Sequence, residues 1–328
     1  MKQQPMVSFI LTYYNLPVEL LCACIDSILQ LSLQPDEREI IVIDDGSDLS
    51  PMNDLLPYGE AIIYVHQKHG GPGAARNKGI EVSQGQFLQF VDADDQLMKS
   101  GYDYCLDIIR RYQDADMVLF DFSLNNQEST VPAIGKETPV SGTNYMRHQN
   151  IHGTACCFLF RRAILGDLRF TPDIYHEDEE FTPQLLIRAE SVYPTDVKGY
   201  FYHRRDDSIM TSQDTVHTEK RLKDMLQVIR SLHKTADRLP HNDQLAMERR
   251  VAQLTMDYIY NVIIKTHSLS TTKQRIESLR ADGLFPLPDS NYTKKYQWFR
   301  RLSNSSLGLA MLVRMLPLLK KDEDTVTG

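Results

Sequence analysis

Three carboxylates stand together in Asp92-Ala93-Asp94-Asp95, at the end of the short apolar and aromatic run 87–91. Acids this close repel one another unless a cation lies between them. Oxygen-only ligands suit a hard divalent ion, Mg2+ or Mn2+. A solvated acidic turn or a helix N-cap would use the same residues. A second acidic set, Asp44-Asp45-Gly46-Ser47-Asp48, ends the run 39–43. The polar set Thr12 to Asn15 ends the run 7–12. Further on, Glu177-Asp178-Glu179-Glu180 opens a helical stretch. A carboxylate there can take a proton from an attacking hydroxyl, although acids in a first helical turn are also favoured by the helix dipole. A glycine-rich turn, 69–79, carries Arg76. It lacks the Lys-Ser/Thr of a phosphate-cradling P-loop, and no Gly-x-Gly-x-x-Gly follows the first strand.

The elements that must hold these residues alternate. Strands are expected at 7–12, 39–43, 61–65, 87–91, 117–122 and 154–162, with a short one near Tyr200. Helices are expected at 18–31, where Leu20, Leu21, Cys24, Ile25, Ile28 and Leu29 keep helical spacing, then after Gly79, at 100–112 and from 177 to 189. Alternating strands and helices predict an α/β fold with a mostly parallel sheet covered on both faces. In such a sheet the carboxyl ends of the strands lie along one edge, where ligands bind. Three polar strand ends then converge, at Thr12–Asn15, Asp44–Asp48 and Asp92–Asp95. From 216 onward the pattern is helical, near 216–238, 241–266 and 271–281. The expected division is 1–212, with halves 1–122 and 140–212, followed by a helical region 213–328.

The 328 residues carry a formal net charge of −8. An acidic chain argues against nucleic acid as partner, since phosphate backbones reward basic surfaces. The five cysteines are odd in number and have no framework spacing, as expected of reduced thiols in the cytoplasm. No second pair has the spacing of a zinc site. No apolar run approaches the roughly 20 residues that span a bilayer.

Five segments together resemble a known family. Val7-Ser-Phe-Ile-Leu-Thr-Tyr-Tyr-Asn15, Ile41-Val-Ile-Asp-Asp-Gly-Ser47, Gly70-Gly-Pro-Gly-Ala-Ala-Arg-Asn-Lys-Gly79, Phe90-Val-Asp-Ala-Asp-Asp95 and His176-Glu-Asp-Glu179 follow the order of the signatures of family-2 glycosyltransferases with the GT-A fold. The resemblance covers about residues 6–212. It implies a Rossmann-like, nucleotide-diphospho-sugar transferase sheet and an inverting hexosyl or N-acetylhexosaminyl transfer. It further implies a nucleotide-sugar donor, usually UDP-linked, and a glycan or lipid-linked saccharide acceptor in surface-polysaccharide assembly. By the resemblance, Thr12 and Tyr14 line the base pocket and Asp45 accepts from the uracil N–H. Arg76 reaches the base or the diphosphate. Asp92 holds the ribose or the metal shell, Asp94 binds Mn2+ or Mg2+, and Asp95 is its alternative. His203 stands where some members place a third metal ligand, or is a loop histidine bonded to backbone. Arg205 and Ser208 match an Arg-x-x-Ser pattern near the diphosphate. Asp178 is the catalytic base, with Glu177 in support. The Gln-x-x-Arg-Trp of processive members is absent, which favours single addition. An inactive nucleotide-sugar-binding scaffold and a sugar nucleotidyltransferase are the rival readings; the latter wants a basic glycine-rich loop after the first strand.

Residues 306–321 form an apolar stretch interrupted by Arg314 and Pro317. Upstream, Lys294, Lys295, Arg300 and Arg301 mix with Tyr292, Tyr296, Trp298 and Phe299. Basic and aromatic residues beside an apolar helix suit peripheral contact with the inner face of the plasma membrane through 292–321. Packing on the core, or on a partner subunit in a homo-oligomer, is the alternative.

Overall fold

β1 (Val7–Tyr13) is apolar on both faces, with Val7, Phe9, Ile10 and Leu11 fully buried. A strand without polar alternation belongs inside a sheet covered on both sides. The computed structural model describes residues 4–127, 130–151, 153–205 and 215–326. Its chain forms two compact units, 1–145 with 153–211, and 146–152 with 212–328.

In the first unit β1 leads through α1 (Val18–Leu29) to β2 (Arg38–Asp44). α2 (Met52–Leu55) and β3 (Ile62–His66) follow, then α3 (Gly71–Val82) and β4 (Phe87–Asp92). These four strands are parallel, in the order β3-β2-β1-β4. The register sets Thr12 beside both Ile43 and Asp92, and Tyr13 beside Asp44. The three polar strand ends therefore share one edge, as the sequence predicts. α3 lies against β1 at Gly79, where an added Cβ would fall 2.1 Å from Ile10 Cγ2.

The rest of the sheet is mixed. β5 (Gln96–Leu97), α4 (Lys99–Arg111), β6 (Met117–Ser123), α5 (Gly142–His148), β7 (Phe158–Arg161), α6 (Glu177–Leu186) and β8 (Val192–Phe201) follow in order. β7 runs antiparallel between β4 and β6, and β8 pairs parallel to β6. β5 pairs antiparallel with the end of β8, Gln96 opposite Phe201. That short ladder folds the acidic 92–95 turn back onto β8.

Two elements differ from expectation. The strand expected at 154–162 is only Phe158–Arg161. Cys156 and Cys157 precede it in buried loop, the Cys156 carbonyl accepting from Gln89 Nε2 at 2.8 Å. β8 is ten residues long and begins well before Tyr200. Its first half, Val-Tyr-Pro-Thr-Asp, hides a strand, because Pro194 lacks an N–H and polar residues break the apolar pattern. The register against β6 shifts there, between Leu119 and Asp121.

The second unit is helical: α7 (Thr215–Ala236), α8 (His241–Thr266), α9 (Leu269–Ala281), α10 (Lys294–Ser303) and α11 (Ser306–Val326). Buried Arg249 on α8 ties residues 146–150 to this unit. Its guanidinium donates to the carbonyls of Met146 and Gln149 and to Asn150 Oδ1. Among the described residues no single helix is long and apolar enough to cross a membrane.

Candidate active site

The site is built on the carboxyl ends of β1, β2 and β4 and on the first turns of α3 and α6. At the end of β2, Asp44 is fully buried and accepts from Tyr64 Oη (2.6 Å), Ser47 N (2.9 Å) and His66 Nδ1 (3.2 Å). Burial alone would raise its carboxyl, but these bonds outweigh it and hold the group below the usual range. Asp44 is thus a structural anchor.

Asp45 faces the glycine-rich turn. Its Oδ1 accepts from Gln67 Nε2 (2.6 Å) and Gly70 N (3.0 Å), its Oδ2 from Gly71 N (2.8 Å). His69 Nδ1 lies 2.9 Å from Oδ2. One carboxylate so collects the free N–H groups that start α3. The His69 ring stacks on Tyr14 at 4.1 Å, and Tyr14 remains 39% exposed. Asn15, at positive φ, binds Ser47 through its N–H and Asp48 through its side chain. The ends of β1 and β2 are thereby tied into one platform.

Arg76, one turn into α3, is buried. Its Nη1 donates to Glu177 Oε1 at 2.6 Å and its Nη2 to Asp92 Oδ1 at 3.0 Å. Burial opposes its charge, but Asp92 and Glu177 outweigh burial and keep it protonated. The guanidinium also lies over the Phe170 ring, 5.4 Å from its centre, and Phe170 stacks on Phe181 of α6 at 3.9 Å. The close approach depends on Gly73, where a Cβ would stand 3.0 Å from the Thr171 carbonyl oxygen. Thr12 Oγ1 completes this group, 3.4 Å from Asp92 Oδ1.

The remaining acids of the turn part company. Asp94 is 22% exposed and pairs with Arg205 Nε at 2.9 Å. Burial and then Asp92 raise its carboxyl, against the pull of Arg205. Asp95 is 2% exposed and points into the protein. It accepts from Tyr200 Oη and from the His203 backbone N, both at 2.8 Å. Burial and Asp92 push it up to about 8. The Tyr200 hydroxyl also accepts from Asp92 N at 3.2 Å, so one tyrosine holds both ends of the acidic turn. The His203 ring stacks beside Phe201, and its backbone N–H donates to Asp95. Ser208 lies outside the described residues.

On α6, Asp178 accepts from Glu179 N at 2.8 Å. Burial, then Glu177 and Glu179, push its carboxyl up to about 8, with Arg76 pulling the other way. A carboxyl poised near neutrality is suited to exchanging a proton. Glu177 is buried against Arg76. Among the described residues no three His, Cys, Asp or Glu side chains form a cage for a metal. The structure thus joins Thr12, Arg76, Asp92 and Glu177 in one group, with Asp94 of the same acidic turn paired to Arg205, which follows β8. Tyr14 and Asp45 stand at the glycine-rich turn. Sequence reading missed Tyr200 and His69 as site residues. The signal for Tyr200 was a lone hydroxyl in the apolar end of a strand that reaches the acidic turn.

The family model "Glycosyl transferase family 2" matches residues 8–169. The putative glycosyltransferase EpsH of Bacillus subtilis is 31% identical over 221 residues, 62% of this chain and 61% of EpsH. The chain therefore spans less than two thirds of that relative. Among solved structures, residues 1–349 of S. aureus TarS superpose with a TM-score of 0.67 at 18% identity, covering 97% of this chain and 91% of that one. The same protein in complex with UDP-GlcNAc gives 0.60 at 19% identity, covering 90% and 91%. The mannosyltransferase PcManGT from Pyrobaculum calidifontis, in complex with GDP-Man and Mn2+, gives 0.57 at 14% identity, covering 97% and 88%. These structural likenesses are likenesses of fold. The family match runs from β1 past β7 and covers four of the five motif segments, and on that ground the matched segment, residues 8–169, belongs to glycosyltransferase family 2.

Proposed function

We propose that the chain is a metal-dependent, inverting glycosyltransferase. It moves a sugar from a nucleotide-sugar donor, UDP-linked, to a hydroxyl of a glycan or lipid-linked saccharide in polysaccharide assembly. The observation that carries this reading is Arg76, whose guanidinium pairs with both Asp92 and Glu177. It joins the acidic strand end to the helix that bears Asp178. Catalysis is assigned to residues 1–212, on the cytoplasmic side.

The donor set fits a divalent ion. Asp92 raises the cost of ionising Asp94, which a cation removes. Mg2+ and Mn2+ need only one or two carboxylates when diphosphate oxygens and waters complete the shell. Asp95 is committed to Tyr200 and His203, so the ion is assigned to Asp92 and Asp94. Held there, it supplies Lewis-acid stabilisation of a diphosphate leaving group.

The chain's own residues do the rest. Tyr14 offers a stacking face to the base, and Thr12 stands beside Asp92. Asp45 fixes the glycine-rich turn, and a uracil N–H would compete there for one of its oxygens. Arg205 supplies positive charge at the diphosphate. Asp178 takes the proton of the acceptor hydroxyl as the oxygen attacks the anomeric carbon and the bond to the diphosphate breaks. One such displacement inverts the carbon. Glu177 holds Arg76 and keeps α6 in position.

A thermal-shift titration with UDP, GDP and CMP, each with and without Mn2+, tests the reading, since a ligand of the native state raises the melting point. A UDP shift that requires Mn2+ is expected. No shift with any nucleotide would overturn the donor assignment.

A further inference from the structure

The two last helices leave an apolar surface outside the core of their unit. α11 packs inward through Leu309, Leu312 and Val313, which are buried. Its opposite side carries Leu307 (86% exposed), Met311, Met315 and Leu318, with Leu319 beside them. At 3.6 residues per turn, positions 307, 311, 315 and 318 fall within an arc of about 80°. They form one continuous stripe. Trp298 on α10 is 55% exposed. α10 and the 306–319 part of α11 meet at a 119° bend and do not make one straight span.

Charge decides what covers such a stripe. Residues 290–321 contain seven Lys and Arg and no Asp or Glu, in a chain whose net charge is −8. Lys294, Lys295, Arg301 and Arg314 are exposed, and Arg300 pairs with Asp289. The acids at 322–324 follow only after the stripe. A second copy docked face to face would bring the same cations together, since a twofold interface presents one patch to itself. An anionic lipid surface meets both features, because it takes apolar side chains at its acyl boundary and cations at its headgroups.

We infer that α10 and α11 form a membrane-surface element: α11 lies in the plane of an anionic bilayer with its Leu307–Leu318 stripe inserted, and Trp298 sits at the headgroup level. The inference rests on this unit alone and stands apart from the transfer reaction. It places the chain at a lipid surface through helices that, among the described residues, do not span it.

Trp298 is the one tryptophan of the chain, so it reports its own burial. Full-length protein is titrated with phosphatidylglycerol-rich vesicles and, separately, with pure phosphatidylcholine vesicles. A blue shift of emission and co-sedimentation with the anionic vesicles are expected, both weakened by salt. Leu307→Ser with Met311→Ser and Met315→Ser should abolish them at an unchanged melting temperature. Charge reversal at Lys294, Lys295 and Arg301 should weaken binding on the order of fivefold per cation removed. No binding to either vesicle, or equal binding to both, overturns the inference. So does a concentration-dependent dimer in size-exclusion chromatography that the triple serine variant dissolves, because the stripe is then a self-interface.

Discussion

Arg205 Nε stands 2.9 Å from Asp94 Oδ2. A side-chain cation therefore neutralises the carboxylate that the proposed reaction assigns to a divalent ion. Metal and Arg205 must compete for Asp94. Arg205→Gln should tighten binding of Mn2+ alone, read by isothermal titration or by the paramagnetic signal of free Mn2+. The same variant should weaken binding of UDP with Mn2+, because the arginine's charge is lost from the diphosphate. Weaker binding of both would show that Arg205 does not compete.

Asp178→Asn should leave donor affinity intact and lower turnover by about 100- to 10,000-fold, the usual worth of a general base. The wild-type rate should climb as pH rises through about 8, because the base must be ionised and its carboxyl is pushed up to that point. A flat profile between neutral and alkaline pH would remove Asp178 from the role.

Stability should run the other way. The folded chain keeps protons on Asp178 and Asp95 up to about 8, whereas the unfolded chain loses them in the ordinary carboxylate range. Their contribution is complete below that range and is lost as pH rises through about 8. The melting temperature should fall over that interval, and Asp178→Asn should make the fall shallower. A melting temperature that rises from acid to alkaline pH would contradict this.

Arg76→Ala strands Glu177 as a buried, unpaired charge. Breaking such a pair costs about 3–5 kcal/mol, visible as a lower midpoint in urea. Arg76→Lys should recover part of the loss, since one ammonium cannot span both acids as a guanidinium fork does.

Tyr200→Phe removes the acceptor for Asp92 N and the donor to Asp95. An unmet buried polar group costs about 1–3 kcal/mol. The melting point should drop by a corresponding amount, and Mn2+-dependent donor binding should weaken, because the turn that carries Asp94 loses its support.

Much of this site was legible beforehand. Thr12, Asp45 and Asp92 each close a strand, and parallel pairing alone brings strand ends to one edge. The apolar runs of β1, β2 and β4 announced their places because burial on both faces permits few polar residues. Orientation was not legible. Asp94 and Asp95 are adjacent acids, yet one faces Arg205 and the other faces Tyr200, and the difference arises from the ladder of β5 on β8. That ladder joins residues more than a hundred positions apart. β8 itself was half hidden by Pro194 and its polar neighbours. On α11 the pattern announced an apolar helix, but only packing distinguished Leu309 and Leu312, which are buried, from Leu307 and Met311, which are not.

Gly73 and Gly79 bracket Arg76 on α3; an added Cβ would collide with Ile10 at Gly79 and would crowd the Thr171 carbonyl at Gly73. The helix is thus closely seated at two points, and its arginine springs from a fixed origin. The stacked rings of Tyr14 and His69 stand on the same footing, because the turn before the helix is held by Asp45 through Gln67, Gly70 and Gly71. Whatever settles on that exposed ring face meets a surface whose position is set by the helix beneath it.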